Sequence, residues 1–200
     1  ENFLGNLEKI VANTSIKNII VTSVGDFLGL KGYLINFILR NVKKMVPKHN
    51  LKNVIRFHDA LKLGSKRNLV EQVIDKEDVA FLQYTGGTTG VLKAAMLTHK
   101  NILANAAQVK EWLGENLRFG EDIAICALPL YHIFALTCNS IVFFYFGSNN
   151  ILITNPRDTN SFVKELKKHK FTFLSGVNTL FNNLMNNPNF INCDFSKLNI

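Results

Sequence analysis

The sequence predicts an α/β fold, built on largely parallel sheets with flanking helices. Short β-branched runs alternate with amphipathic segments of helical spacing, which is the pattern of strands joined by helices. Thr98 stands directly after one of these runs as a helix-starting residue, and Pro47 and Pro129 end two segments. Hydrophobic residues make up 47% of the chain and charged residues 19%, a balance that supports a packed core and argues against disorder.

In chain order, Phe3, Leu4, Leu7, Ile10 and Val11 recur at helical spacing, so residues 3–12 predict a short amphipathic helix. Residues 16–24, centred on Ile19, Ile20 and Val21, predict a buried strand. From 27 to 46, Leu30, Tyr33, Leu34, Phe37, Ile38, Val42, Met45 and Val46 share one stripe, with Lys31, Asn36, Arg40, Lys43 and Lys44 largely off it. Pro47 closes that segment. The expectation is a helix packed on a core with a solvated basic face. A membrane-surface role is the alternative, because cations beside an apolar stripe suit anionic headgroups. Residues 50–76 are polar and mixed, with a short helical pattern near 57–63.

Residues 79–84 form a compact strand pattern, a Gly/Thr-rich loop follows, and 94–97 read as a second short strand. Thr98 is an N-cap for a helix over 99–113. Residues 123–128 predict a strand that stops at Pro129, and 133–146 a buried helix. A strand at 150–154, a helix at 159–169, a strand at 171–174 and a helix at 178–185 complete the alternation. There is no internal repeat.

The formal net charge is +8, compatible with nucleic acid, a membrane surface or an anionic small molecule such as a nucleotide. No interleaved aromatic–arginine pattern or nucleic-acid motif supports the first, so no nucleic-acid partner is expected. Cys126, Cys138 and Cys193 lack metal-like spacing and read as reduced thiols of a cytoplasmic protein. The most apolar stretch, 133–146, is too short to span a bilayer and holds Thr137, Asn139 and Ser140. The chain starts at Glu1 with no signal-peptide pattern and ends on 195–200, which read like the start of a strand. An internal segment of a longer protein is therefore expected.

The informative stretch is Leu82-Gln83-Tyr84-Thr85-Gly86-Gly87-Thr88-Thr89-Gly90-Val91-Leu92-Lys93. Its glycines let backbone approach a ligand closely, its threonines add hydroxyl donors, and Lys93 adds a positive charge. Backbone N–H groups, hydroxyls and one ammonium together make a cradle for a polyphosphate. The spacing is neither a Walker A loop, since Val91 follows Gly90, nor GxGxxG. A surface turn rich in Gly and Thr is the bland alternative.

Thr85 to Lys93 resembles the signature of the adenylate-forming (AMP-binding) enzyme superfamily. Tyr84 to His99, Leu128-Pro129-Leu130-Tyr131-His132-Ile133-Phe134, Leu152 to Asp158 and Gly176-Val177-Asn178-Thr179-Leu180-Phe181 are similar to the bacterial long-chain fatty acid–CoA ligases in particular. The resemblance covers essentially the whole chain, most weakly before about residue 76. It implies a fragment of the large N-terminal AMP-binding domain. Residues 1–76 are then the variable part with the basic amphipathic helix, and 77–200 the phosphate-loop and acyl-site part. The resemblance places the C-terminal domain outside these 200 residues.

The resemblance further implies two half-reactions: a long-chain fatty acid and ATP give acyl-AMP and pyrophosphate, then CoA displaces AMP. It makes Tyr84, Thr85, Gly86, Gly87, Thr88, Thr89, Gly90, Val91, Leu92, Lys93, Ala94 and Ala95 the nucleotide-binding stretch. Within it, Thr85 is the residue associated with Mg2+ and Lys93 a catalytic residue. His132 lies beside the acyl carboxylate and the pantetheine path, with positioning favoured over proton transfer; Gly176 and Val177 line the acyl tunnel. Tyr131 and Phe134 read as packing residues. Location in the cytoplasm, peripheral at the inner face of the cell membrane, follows from the same resemblance.

Two features stand against a simple reading. Ala94 occupies a position where the family usually has glycine, which would cost roughly 1 kcal/mol if positive φ were needed there. The glutamate that completes the magnesium site, the ribose-binding aspartate and the late catalytic lysine are missing. The 200 residues alone are therefore expected to be inactive and poorly soluble. A non-catalytic remnant or binding module, an acyl-AMP ligase serving a carrier protein and an aromatic-acid ligase stay open as alternatives.

Overall fold

The computed structural model describes residues 1–85 and 92–200. They form two compact units, Glu1–Gln72 and Val73–Ile200.

In the first unit, α1 (Leu4–Ile10) leads to β1 (Ile19–Val21), then α2 (Gly29–Phe37), continued by a wider π turn over Ile38–Val42, then β2 (Val54–Arg56) and α3 (Phe57–Gly64). β1 and β2 pair in parallel, Ile19 opposite Val54. A parallel pair needs a long crossover, and α2 supplies it. β2 lies in the stretch read as mixed and polar; three residues are too few to show a strand period.

The stripe of α2 is not packed on a core, which corrects the expectation. Leu30 is 88% exposed and Tyr33 77%, with Leu34 and Phe37 also exposed. The helix docks instead through its glycine. Gly32 is buried, and a Cβ there would lie 1.9 Å from the carbonyl oxygen of Gly25. One turn on, Asn36 Oδ1 accepts the Gly25 N–H at 2.8 Å. Backbone contact at Gly32 fixes which face turns inward, and the apolar stripe lies on the others.

In the second unit, β3 (Val79–Thr85) and β4 (Lys93–Thr98) make an antiparallel hairpin. Only residues 86–92 separate them, too short for a parallel crossover. This pair departs from the expected parallel pattern. Thr98 then caps α4 (His99–Leu113) in a reciprocal box: its hydroxyl accepts from the Asn101 N–H at 3.2 Å, and Asn101 Oδ1 accepts from the Thr98 N–H at 3.0 Å.

A three-stranded parallel sheet follows, with β5 (Ile123–Cys126) between β6 (Asn149–Leu152) and β7 (Phe173–Ser175). The segment between β5 and β6 is helical from α5 (Ile133–Ala135) through a π stretch (Leu136–Val142) to α6 (Phe143–Tyr145). α7 (Thr159–Leu166) returns to β7, and α8 (Asn178–Met185) leaves it. The expected strands at 16–24, 123–128 and 150–154 all appear, shorter than their apolar runs.

The alternating pleat of β5 serves two cores. Ile125 packs with Phe162, Val163 and Leu166 of α7 and Leu180 and Leu184 of α8. Ala124 packs on the other face with Phe143 and Phe173. The segment 195–200 is not a ladder strand, but it lies against β7: the Leu174 N–H donates to the Ile200 carbonyl at 2.9 Å, and the Asn199 N–H to the Thr172 carbonyl at 2.8 Å. Among the described residues no helix is long and apolar enough to cross a membrane.

Candidate active site

The hairpin presents two faces. Thr85 and Lys93 are direct cross-strand partners, as are Gln83 and Ala95. Partners in an antiparallel pair share a face, with Cβ atoms about 4.5–5.5 Å apart. Gln83, Thr85, Lys93 and Ala95 therefore lie on one side, and Tyr84 and its partner Ala94 on the other. The Thr85 hydroxyl donates to the Lys93 carbonyl at 3.3 Å, closing the mouth of the hairpin. Leu92 and Lys93 are exposed. Gly86, Gly87, Thr88, Thr89, Gly90 and Val91 lie outside the described residues. Ala94 is a half-buried strand residue and is not among the positions of positive φ, so alanine there carries no backbone strain.

His132 follows β5 through a tight turn in which its N–H donates to the Pro129 carbonyl at 2.9 Å. Its ring is the N-cap of α5: Nδ1 accepts the Phe134 N–H at 3.3 Å. An imidazole nitrogen that accepts cannot carry the proton. The neutral ring therefore has its proton on Nε2, a donor on an exposed edge. One side chain ties this turn to the hairpin. Gln83 Nε2 donates to the Tyr131 carbonyl and to the Tyr84 carbonyl, each at 3.3 Å. Gln83 sits inside the motif stretch, but the sequence assigns it no role, because nothing in it says which loop faces β3.

Ile133 and Phe134, directly after His132, line a cavity of about 780 Å³. Its wall includes Val109 and Trp112 of α4, Cys138 of the π stretch, Phe173 of β7 and Gly176. The lining is mainly apolar, with Asn105, Gln108, Thr137 and Ser175 as its polar members, and burial pushes the Cys138 thiol up from its ordinary range. Gly176 has little room for a side chain: a Cβ would lie 2.8 Å from Leu180 Cδ2 and 3.2 Å from the Phe181 ring. Val177 is 51% exposed and is not part of this wall. Phe134 is, although it reads from the sequence as a packing residue only. Trp112 carries no site signal in the sequence, because a lone tryptophan on a helix says nothing without the neighbouring elements.

The His132 turn follows β5 and Gly176 follows β7, so both leave the carboxyl edge of the parallel sheet. That edge is where open α/β sheets bind ligands. Among the described residues no cluster of three or more His, Cys, Asp or Glu side chains could hold a metal.

A family profile described as AMP-binding enzyme matches residues 5–200. Over its full 200 residues the chain is 51% identical to a long-chain-fatty-acid–CoA ligase of Salmonella typhimurium. It is 52% identical over 204 aligned residues to one of Haemophilus influenzae. It spans 36% of the length of each. Among solved structures, the N-terminal domain of FACL13 from Mycobacterium tuberculosis superposes with a TM-score of 0.65, over 98% of this chain and 46% of that one. At 19% identity that likeness speaks for the fold alone.

Proposed function

The chain belongs to the AMP-binding enzyme family, and on that premise we propose that the full-length protein is a long-chain fatty acid–CoA ligase. The observation that carries this reading is that Gln83 ties the hairpin strands flanking the Gly/Thr stretch to the His132 turn, with an apolar cavity opening directly after that turn. Identity of about half to fatty-acid–CoA ligases across the whole chain supports the same substrate.

In the first half-reaction a carboxylate oxygen of the fatty acid attacks the α-phosphorus of ATP. The bond to the bridging oxygen breaks, and its electron pair leaves on pyrophosphate. The loop from Thr85 to Lys93 holds the β and γ phosphates, with Lys93 supplying the fixed positive charge. Such donors act without reorganising as charge develops. Tyr84 and Ala95 bound the nucleotide stretch. His132 offers its Nε2–H to the carboxylate, fixing which oxygen faces phosphorus. The alkyl chain enters the cavity beside Gly176, where each buried methylene contributes about 0.8 kcal/mol. In the second half-reaction the CoA thiol attacks the acyl carbon and AMP departs.

Mg2+ fits this chain in a limited way. Thr85 offers one neutral hydroxyl oxygen, suited to an ion that arrives on the nucleotide's phosphates and keeps most of its waters. When bound, it would draw charge from the phosphate oxygens. The exposed stripe of α2, with Lys31, Lys43 and Lys44 close in sequence, supports a peripheral place on an anionic membrane face in the cytoplasm.

The test is pyrophosphate release by the full-length protein with MgATP and acids of increasing chain length, with and without CoA, beside Lys93→Ala. Release that needs a long-chain acid, yields a thioester with CoA and collapses in the variant is expected. A folded protein that releases none with any acid rejects the reading.

A further inference from the structure

We propose that Gln83 is a positioning residue that holds the histidine turn in register with the phosphate-binding hairpin. The inference rests on the ligase reading for its catalytic readout and on geometry alone for its structural one.

The two candidate halves of the site come from different elements. Thr85 and Lys93 belong to the hairpin, and His132 to a turn that leaves the parallel sheet. Reaction between a nucleotide on the first and a carboxylate beside the second needs the two held in register. A misplacement of about 1 Å can cost roughly a hundredfold in rate. Gln83 lies on the same hairpin face as Thr85 and Lys93, two residues before Thr85. Its amide has two hydrogens, and each has an acceptor. One goes to the Tyr84 carbonyl on its own strand, the other to the Tyr131 carbonyl immediately before His132. The first bond fixes the amide plane, so the second holds the turn at a set distance. Downstream, the His132 ring is locked by the Phe134 N–H on Nδ1. The direction of Nε2 is therefore set at two points: the helix start behind the ring and the Gln83 amide before it.

The chemistry demands a donor at position 83, because both partners are carbonyl oxygens. Gln83→Met keeps the length and removes the donor. Gln83→Glu replaces it with an anion facing two carbonyls, and protonation of that carboxyl restores one donor. A carboxyl so placed is neutral at a higher pH than a free one, whose value is about 4.3.

Both variants are made in the full-length protein, and folding is checked by circular dichroism. Expected for Gln83→Met is a fall in kcat for acyl-AMP formation of about ten- to a hundredfold, with KM for ATP changed less than about twofold. Gln83→Glu should be slower still at pH 8 and recover relative to wild type as pH falls toward 6; Gln83→Met should not recover. A residue that only stabilises the fold would lower the melting temperature without this pH-dependent rescue. The second readout needs no catalysis: in protein labelled with 15N-histidine, the His132 ring signals, assigned with His132→Asn, should shift in Gln83→Met and stay in place in Met96→Ala. If wild type makes no acyl-AMP but the ring signals shift, the ligase reading fails and the positioning role stands. Unchanged kcat and unchanged ring signals in Gln83→Met overturn the proposal.

Discussion

Three of the four residues of β5 are buried, whereas none of the seven in β3 is. Both strands are apolar in sequence, and both lie in the second unit. β5 reads Ile-Ala-Ile-Cys, packed on both faces, because it is the middle strand of a parallel sheet with helices against it. β3 reads Val-Ala-Phe-Leu-Gln-Tyr-Thr, and Leu82 and Tyr84 are 58% and 62% exposed. Its order comes from one cross-strand ladder, from contact with α4 and from Gln83. The contrast separates two duties: the sheet supplies rigidity and a carboxyl edge, and the hairpin supplies donors and a charge. Substitutions should divide accordingly, into those that unfold and those that only disarm.

The largest expected effects test that division directly. Phe162 is 1% exposed in the core beneath β5, and Phe162→Ala should cost about 3–5 kcal/mol in a denaturant titration of the full-length protein. Lys93→Ala, at an exposed strand end, should leave that titration within about 0.5 kcal/mol. It should lower pyrophosphate release by about a hundredfold or more. Loss of stability in Lys93→Ala comparable to that in Phe162→Ala would erase the distinction.

A smaller effect should sharpen it. Gly176 stands at the carboxyl edge of the sheet and in the cavity wall, so it tests what that edge contributes. Gly176→Leu must displace the ends of Leu180 and Phe181. The expected result is a fall of about tenfold in kcat/KM for long acids, with short acids spared. An unchanged chain-length profile would separate this cavity from the substrate.

The smallest concerns a helix that braces the sheet. Hydrogen bonds from the Ser161 hydroxyl and N–H hold the Asp158 carboxyl below its ordinary range. A pKa lowered in the folded state gives stability that is present above the unfolded value, near 3.9, and lost as pH falls through the folded one. Unfolding midpoints should therefore drop in acid more steeply for wild type than for Asp158→Ala. Parallel curves would show that this cap contributes nothing measurable.

Much of this was legible because the local signals agree with the fold. Thr98 announces its helix, since a side-chain oxygen at a helix start satisfies free N–H groups wherever the helix sits. The Thr85-to-Lys93 stretch stands out in the sequence because glycines, hydroxyls and a cation concentrate there, the composition expected of a phosphate cradle. The α2 stripe misled, for period alone says which residues share a face and not what that face meets. Only the contact between Gly32 and Gly25 reveals which side turns inward.

The sequence by itself determined the alternation of strands and helices and set apart two stretches, Thr85 to Lys93 and the turn at His132, as candidates for the site. Each depends on neighbours within a few residues or on a compact signature. Tertiary structure alone decided that Gln83 reaches the turn before His132 and that Trp112 and Phe173 wall one cavity. Gln83 and Tyr131 are 48 positions apart, and no local propensity encodes a contact that chain topology must first bring within hydrogen-bond reach.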